Sequence, residues 1–182
     1  LLATCGNCLC EDKNCSGTPD VKPDVLILGK ALSGGAYPVS AVLANNSIMN
    51  VIKPGNHGST FGGNPIAASV AIAALDVVRD EDLAENAYRL GKIFRHELSL
   101  FAENNKWIKK VRGKGLLNAI LINDTEDSTT AWDICIKLRD NGLLAKPTHG
   151  NIIRFAPPLV MNENELLDCI SIIKKTILDF EK

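Results

Sequence analysis

Three places in this sequence carry residue types able to do chemistry: Lys30, the Gly58-Ser59-Thr60 turn and Arg154. Lys30 follows Val25–Leu28 (VLIL) and Gly29, so it falls at the carboxyl end of a short strand, the edge at which open α/β sheets bind ligands. Four apolar residues in a row, bounded by Lys22-Pro23-Asp24 and Gly29, read as a strand buried on both faces, as in a parallel sheet covered by helices. An ammonium buried there costs free energy unless a partner or a pKa shift relieves it, and desolvation frees the amine lone pair for a carbonyl. Lys30 is therefore a candidate Schiff-base former. A plainer reading, in which it only reaches from a strand end to water, stays open on this stretch alone.

The second place is a loop rich in glycine and hydroxyls, KPGNHGSTFGGNP over residues 53–65. Free backbone N–H groups and the hydroxyls of Ser59 and Thr60 suit a phosphate, although glycine and serine are also ordinary loop residues. Neither this loop nor Gly29–Gly35 has the order of a Walker A or G-x-G-x-x-G motif. Arg154 is the third, a lone charge inside Ile152-Ile153-Arg154-Phe155. Strand alternation puts it on the face of Ile152, opposite Ile153 and Phe155. A guanidinium so placed calls for a carboxylate, either an internal acid or that of a substrate.

The elements that must position these groups follow from pattern. Val39–Ala44 reads as a second strand after the Ser33-Gly34-Gly35 turn. Asn64-Pro65 starts a helix whose face of Ile66, Val70, Ala74, Leu75 and Val78 reads as well buried. Asp80-Glu81-Asp82 supplies a cap and first-turn acids for another helix, with Leu83, Ala87, Leu90, Phe94, Leu98 and Phe101 at helical spacing. A domain boundary is placed at residue 82, giving 1–82 and a smaller α+β unit over 83–182. Within the latter, Val111–Gly115 is a turn-rich entry to a strand at Leu116–Ile122, where Leu117, Ala119 and Leu121 alternate. A helix over about 131–140 is stopped by Asn141-Gly142, and extended segments Leu143–Lys146 and Ile152–Phe155 precede Pro157-Pro158. Asn162 and Glu165 form a capping box for a last helix with Leu166, Ile170, Ile173, Ile177 and Phe180 along its buried stripe.

Composition sets the bounds. With 182 residues, 46% hydrophobic and 23% charged, the chain has room for one domain or one and a half. A formal charge of −1 gives no electrostatic case for nucleic acid or an anionic membrane, and no apolar stretch approaches a membrane span. The chain opens on Leu1 rather than Met, which leads us to expect that its natural start, with any targeting segment, lies upstream. Cys5, Cys8, Cys10 and Cys15 crowd one loop-like stretch, while Cys135 and Cys169 stand alone in helical patterns. The spacing C-x-x-C-x-C-x-x-x-x-C lacks the two separated knuckles of common zinc sites, so no metal is assigned.

The segments KPDVLILGKALSGGAYPVSAVLA, KPGNHGSTFGGNP, VRGKGLLNAI and LRDNGLLAKPTHGNIIRFAPPL together resemble the class III pyridoxal-phosphate aminotransferases, in one register from about Val21 onward. The resemblance implies an α/β fold: the C-terminal part of a fold type I large domain, then a smaller α+β C-terminal domain. It implies that Lys30 bonds covalently to pyridoxal 5'-phosphate, that Thr60, with Ser59 beside it, contacts the cofactor phosphate of the neighbouring subunit of a homodimer, and that Arg154 holds a substrate carboxylate. It is closest to members that pass the δ-amino group of L-ornithine to 2-oxoglutarate, mitochondrial in animals and cytosolic in yeast. Members acting on 4-aminobutyrate or acetylornithine share the lysine and the phosphate turn. By the same resemblance the chain begins after the family's N-terminal half, residues 5–19 are an insertion, and this stretch alone is expected not to catalyse. A different class of reading is a non-catalytic α/β module with a cysteine-rich metal loop.

Overall fold

A computed structural model describes residues 23–180. The crowded cysteines at 5, 8, 10 and 15, and with them the proposed insertion, lie outside the described residues. The chain divides into two compact units, Leu1–Val77 and Val78–Lys182.

In the first unit, strand β1 (Val25–Leu28) is followed by a 3-10 turn at Lys30–Ser33 and then by β2 (Ala41–Ala44). The two strands pair antiparallel, Val25 opposite Ala44 and Leu28 opposite Ala41. β1 was expected to lie in a parallel sheet, and the pairing described is antiparallel. The link from Leu28 to Ala41 holds only a single 3-10 turn, and a parallel crossover needs a helix-sized connection. The expectation that β1 is buried on both faces also fails. Val25 is 42% and Ile27 74% exposed, because this two-stranded sheet has no layer over that face among the described residues. Helix α1 (Asn46–Met49) and the glycine-rich loop lead to α2 (Pro65–Asp80). Its start is as expected: Asn64 Oδ1 accepts from the Ala67 N–H at 2.9 Å, with proline at the first helical position. Its burial is not. Ala67 and Ala71 are the buried side chains, whereas Ile66, Leu75 and Val78 are exposed. The narrow alanine side is the buried one, and the wide apolar side is left exposed among the described residues.

The second unit is an antiparallel sheet with helices on one side. Strands β3 (Ile108–Lys114), β4 (Leu117–Ile122), β5 (Lys146–Thr148) and β6 (Ile152–Phe155) are ordered β3-β4-β6-β5. Helix α3 (Leu83–Glu103) packs on β3 and β4, α4 (Thr130–Asp140) on β5 and β6, and α5 (Glu163–Phe180) against both α3 and α4. Leu90 and Leu98 of α3, Ile120 and Ile122, Ile134 and Leu138, Ile153, Ile173 and Ile177 form one core from which water is excluded. The apolar stripes expected for α3 and α5 are the buried ones. The capping box is present, with Asn162 N–H donating to Glu165 Oε2 at 2.9 Å and Glu165 N–H to Asn162 Oδ1 at 3.0 Å. Asp82, by contrast, makes no side-chain cap; its backbone is left-handed at φ 49°, which turns the carboxylate away from the orphan N–H groups.

Residues 111–114 prove to belong to a seven-residue strand, with the turn confined to Gly115 and Leu116, and the extended segment at 143–146 becomes a strand only from Lys146. A register shift between Ile108 and Lys110 breaks the two-residue period that would have marked β3. On β4 the face turned inward is Asn118, Ile120 and Ile122, not Leu117, Ala119 and Leu121. The polar Asn118 is admitted because it is satisfied: Arg95 Nη1 donates to its Oδ1 at 2.9 Å, and its Nδ2 donates to the Gly115 carbonyl at 3.1 Å. That carbonyl comes so close to α3 that a Cβ on Gly91 would sit 2.0 Å from its oxygen. Gly91 and the left-handed Gly115 (φ 53°) thus let the β3–β4 turn seat directly on the helix.

Candidate active site

Lys30 lies where the sequence places it, two residues beyond the end of β1, at the first position of the 3-10 turn. Its backbone is left-handed at φ 52°, a conformation that costs a non-glycine residue about 1 kcal/mol and collects at functional sites. The turn beyond it is fixed by Ser33, which is 2% exposed; its Oγ donates to the Tyr37 carbonyl and accepts from the Tyr37 N–H at 3.2 Å. Lys30 itself is exposed, contrary to the expectation of a buried ammonium. The reason is that of β1: no second layer covers this strand end among the described residues. Chemistry at Lys30 therefore has to draw on something other than desolvation by these residues.

Lys30 lines a concavity of about 480 Å³ together with Pro38, Ser40, Phe61, Gly62 and Asn64, among others. That volume is in the range of small-molecule sites. The glycine-rich loop thus reaches the lysine through Phe61–Asn64. Ser59 and Thr60 do not line the concavity. Ser59 Oγ accepts from the Gly62 N–H at 2.9 Å and tightens the loop, and both Ser59 and Thr60 are exposed. A primary amine on the wall of a small-molecule-sized concavity fits an aldehyde ligand such as pyridoxal phosphate, which such an amine can bond through its carbonyl carbon.

Arg154 belongs to the second unit and projects from the sheet face away from the core. Ile153 and Phe155 are buried and Arg154 is exposed, as the alternation predicts. No carboxylate among the described residues pairs with it. Its strand neighbours are Ala119 on one side and Lys146 on the other. That Lys146 faces Arg154 depends on register, which no local sequence pattern supplies.

Other candidates fall away. Burial pushes the Cys135 thiol up to about 11, and burial, followed by Asp168 and Glu165, raises that of Cys169, so neither is a ready nucleophile. Among the described residues no three His, Cys, Asp or Glu side chains gather so as to hold a metal, and no helix is long and apolar enough to cross a membrane.

This fold is that of a known class. The profile of the class-III aminotransferases matches residues 2–177, and the chain belongs to that family. Among curated relatives, the mitochondrial ornithine aminotransferase of Drosophila melanogaster is 61% identical over 158 residues, 87% of this chain and 36% of the fly protein. Among solved structures, the acetylornithine aminotransferase of Elizabethkingia anophelis is 71% identical with a TM-score of 0.85, over 88% of this chain and 40% of that one. The ornithine δ-aminotransferase of Plasmodium falciparum is 48% identical with a TM-score of 0.83, over 89% of this chain and 41% of that one. The chain therefore spans about two fifths of the length of the proteins it resembles.

Proposed function

We propose that this chain is the C-terminal part of a pyridoxal-phosphate-dependent aminotransferase that moves the δ-amino group of L-ornithine to 2-oxoglutarate. Membership of the class-III family, with Lys30 on the wall of the concavity at the end of β1, is the observation that carries the reading. In it the first unit belongs to the large cofactor-binding domain and the second is the small domain.

Lys30 would hold the cofactor through its amine and, when free, would stand where it can move a proton on the substrate carbon. The bound cofactor supplies the electron sink. Arg154, with no carboxylate partner among the described residues, holds a substrate carboxylate and so orients the carbon to be aminated. Ser59 and Thr60, exposed and outside the Lys30 concavity, serve the cofactor phosphate of a second subunit, which makes a homodimer the working unit. The stretch of 182 residues alone is inactive in this account. A mitochondrial location follows the names of the fly and rat relatives.

A second reading has its own support. The 71% identical Elizabethkingia protein is named for acetylornithine, so N-acetylornithine is the competing donor. Both are tested in a full-length protein with 2-oxoglutarate as acceptor. Glutamate 5-semialdehyde from ornithine, and no turnover of N-acetylornithine, is the expected result. The reverse preference would move the assignment to the second reading. Lys30→Ala should abolish turnover of either donor, and a variant that still turns over would remove Lys30 from the chemistry.

A further inference from the structure

The most buried described side chain of the first unit is a serine. Ser33 is 2% exposed, less than Ala67 and Ala71, the other two buried there, while Ile27 and Phe61 are left open. A hydroxyl gains nothing from leaving water unless its donor and its acceptor are both met. Here both are, since Ser33 Oγ donates to the Tyr37 carbonyl and accepts from the Tyr37 N–H at 3.2 Å. One side chain thus clamps both backbone groups of a residue four positions on. Left-handed Gly34 (φ 65°) and Gly35 (φ 86°) reverse the chain between them, and a Cβ on Gly34 would lie 3.5 Å from that of Ala74, so the reversal is seated on α2.

What the clamp joins is two sides of the concavity. On one side the 3-10 turn begins with Lys30 and ends with Ser33; on the other, Pro38, Val39 and Ser40 follow Tyr37 directly, and all three line the concavity with Lys30. Within the turn, the Leu32 N–H reaches the Gly29 carbonyl at a long 3.3 Å, and the Gly34 N–H reaches the Ala31 carbonyl at 2.9 Å. A lysine at φ 52° persists only where its surroundings over-determine it. The anchor of this turn to the chain beyond it is the Ser33 hydroxyl.

We propose that Ser33 is a positioning residue for the Lys30 amine: by tying the turn to Tyr37 it holds the lysine against the Pro38–Ser40 wall of the concavity. This rests on the aminotransferase reading and deepens it, because an amine that must bond an aldehyde has to meet it from a fixed point. Without the hydroxyl, Lys30 is free to relax out of the left-handed region, and its Cα–Cβ bond no longer aims the amine at the same place. Ser33 itself touches neither cofactor nor substrate in this account.

The test uses full-length protein freed of cofactor. On mixing with pyridoxal 5'-phosphate, Lys30 Nζ adds to the aldehyde carbon with loss of water, and borohydride added at timed intervals fixes the bond for peptide mass. In Ser33→Ala the rate of labelling at Lys30 should fall about tenfold, the factor by which a left-handed residue reverts once the contacts holding it are removed. Ser33→Thr, which keeps the hydroxyl, should restore most of that rate. Pyridoxine 5'-phosphate lacks the aldehyde and should bind wild type and the Ala variant equally by calorimetry. Backbone hydrogen exchange over residues 30–34 should be about tenfold faster in the Ala variant. An unchanged labelling rate overturns the proposal. So does an equal weakening of pyridoxine 5'-phosphate binding that Thr does not rescue, which marks a general structural role. A wild-type protein that takes no label at Lys30 would instead count against the aminotransferase reading. Exchange over residues 30–34 would still judge the clamp, an unchanged rate there overturning it and a faster one upholding it.

Discussion

The two units bury their apolar residues very differently. In the second, α3, α4 and α5 close over one side of a four-stranded sheet, and Leu90, Leu98, Ile120, Ile134, Ile153 and Ile173 are each 0% exposed. In the first, Ile27 is 74%, Val51 73%, Phe61 78% and Ile66 62% exposed, and α2 buries little but alanine. The second unit has a core of its own; the first carries apolar faces shaped for partners that the described residues do not supply. The candidate chemistry is split the same way, with Lys30 in the uncovered unit and Arg154 in the self-sufficient one. The lesson is that a unit can fix where a side chain points by its own packing, whereas a lysine in an uncovered unit waits on surfaces elsewhere to be tuned.

Substitutions can break this contrast. Ile120→Ala leaves a cavity in the closed core and should cost roughly 2–5 kcal/mol, read as a drop in the denaturation midpoint of the second unit. Ile27→Ala, on the open face, should cost less than about 0.5 kcal/mol in the 182-residue chain. In a chain of the relatives' full length its cost should rise toward that of a core site; equal costs at both positions in the short chain would erase the contrast. Gly91→Ala comes next. Its Cβ would meet a backbone oxygen at the β3–β4 turn, so it should push the hairpin off α3 and cost about 1–3 kcal/mol by the same measurement.

The smallest effect is at the surface. Lys174 Nζ donates to Glu97 Oε2 at 2.8 Å, joining α5 to α3, and this hydrogen bond, then the charge of Lys174, holds the Glu97 carboxyl below its ordinary value. A carboxyl depressed by folding adds stability above its unfolded pKa and loses it as pH falls through the folded one. Glu97→Gln should therefore lower stability at neutral pH by less than about 1 kcal/mol, since the pair is about a third exposed. The difference from wild type should vanish in acid. A difference that persists there would mean the pair acts through packing and not charge.

Much of this was legible in sequence, and the rest was not for identifiable reasons. The stripes of α3 and α5, the caps at Asn64 and Asn162, and the outward face of Arg154 rest on local periodicity and local hydrogen bonds, which a sequence displays directly. Strand direction does not: VLIL reads alike in parallel and antiparallel pairs, and only the short link to Ala41 separates them. Strand β3 was hidden because its outer positions are Lys110, Arg112 and Lys114 and a register shift interrupts its inner ones. Lys30 was singled out as a candidate from its place after the strand. Its exposure was not, because burial of a strand end is decided by distant residues. The pairing of Lys146 with Arg154 needed the register of β5 on β6, which no local pattern supplies.

The central claim is that Lys30 is the amine that bonds pyridoxal phosphate. Full-length protein loaded with the cofactor, reduced with borohydride and digested, locates that bond by peptide mass. The account predicts the pyridoxyl label on the peptide containing Gly29-Lys30-Ala31 and on no other lysine. A label elsewhere, or a loaded protein from which the cofactor comes away unbonded, would contradict it.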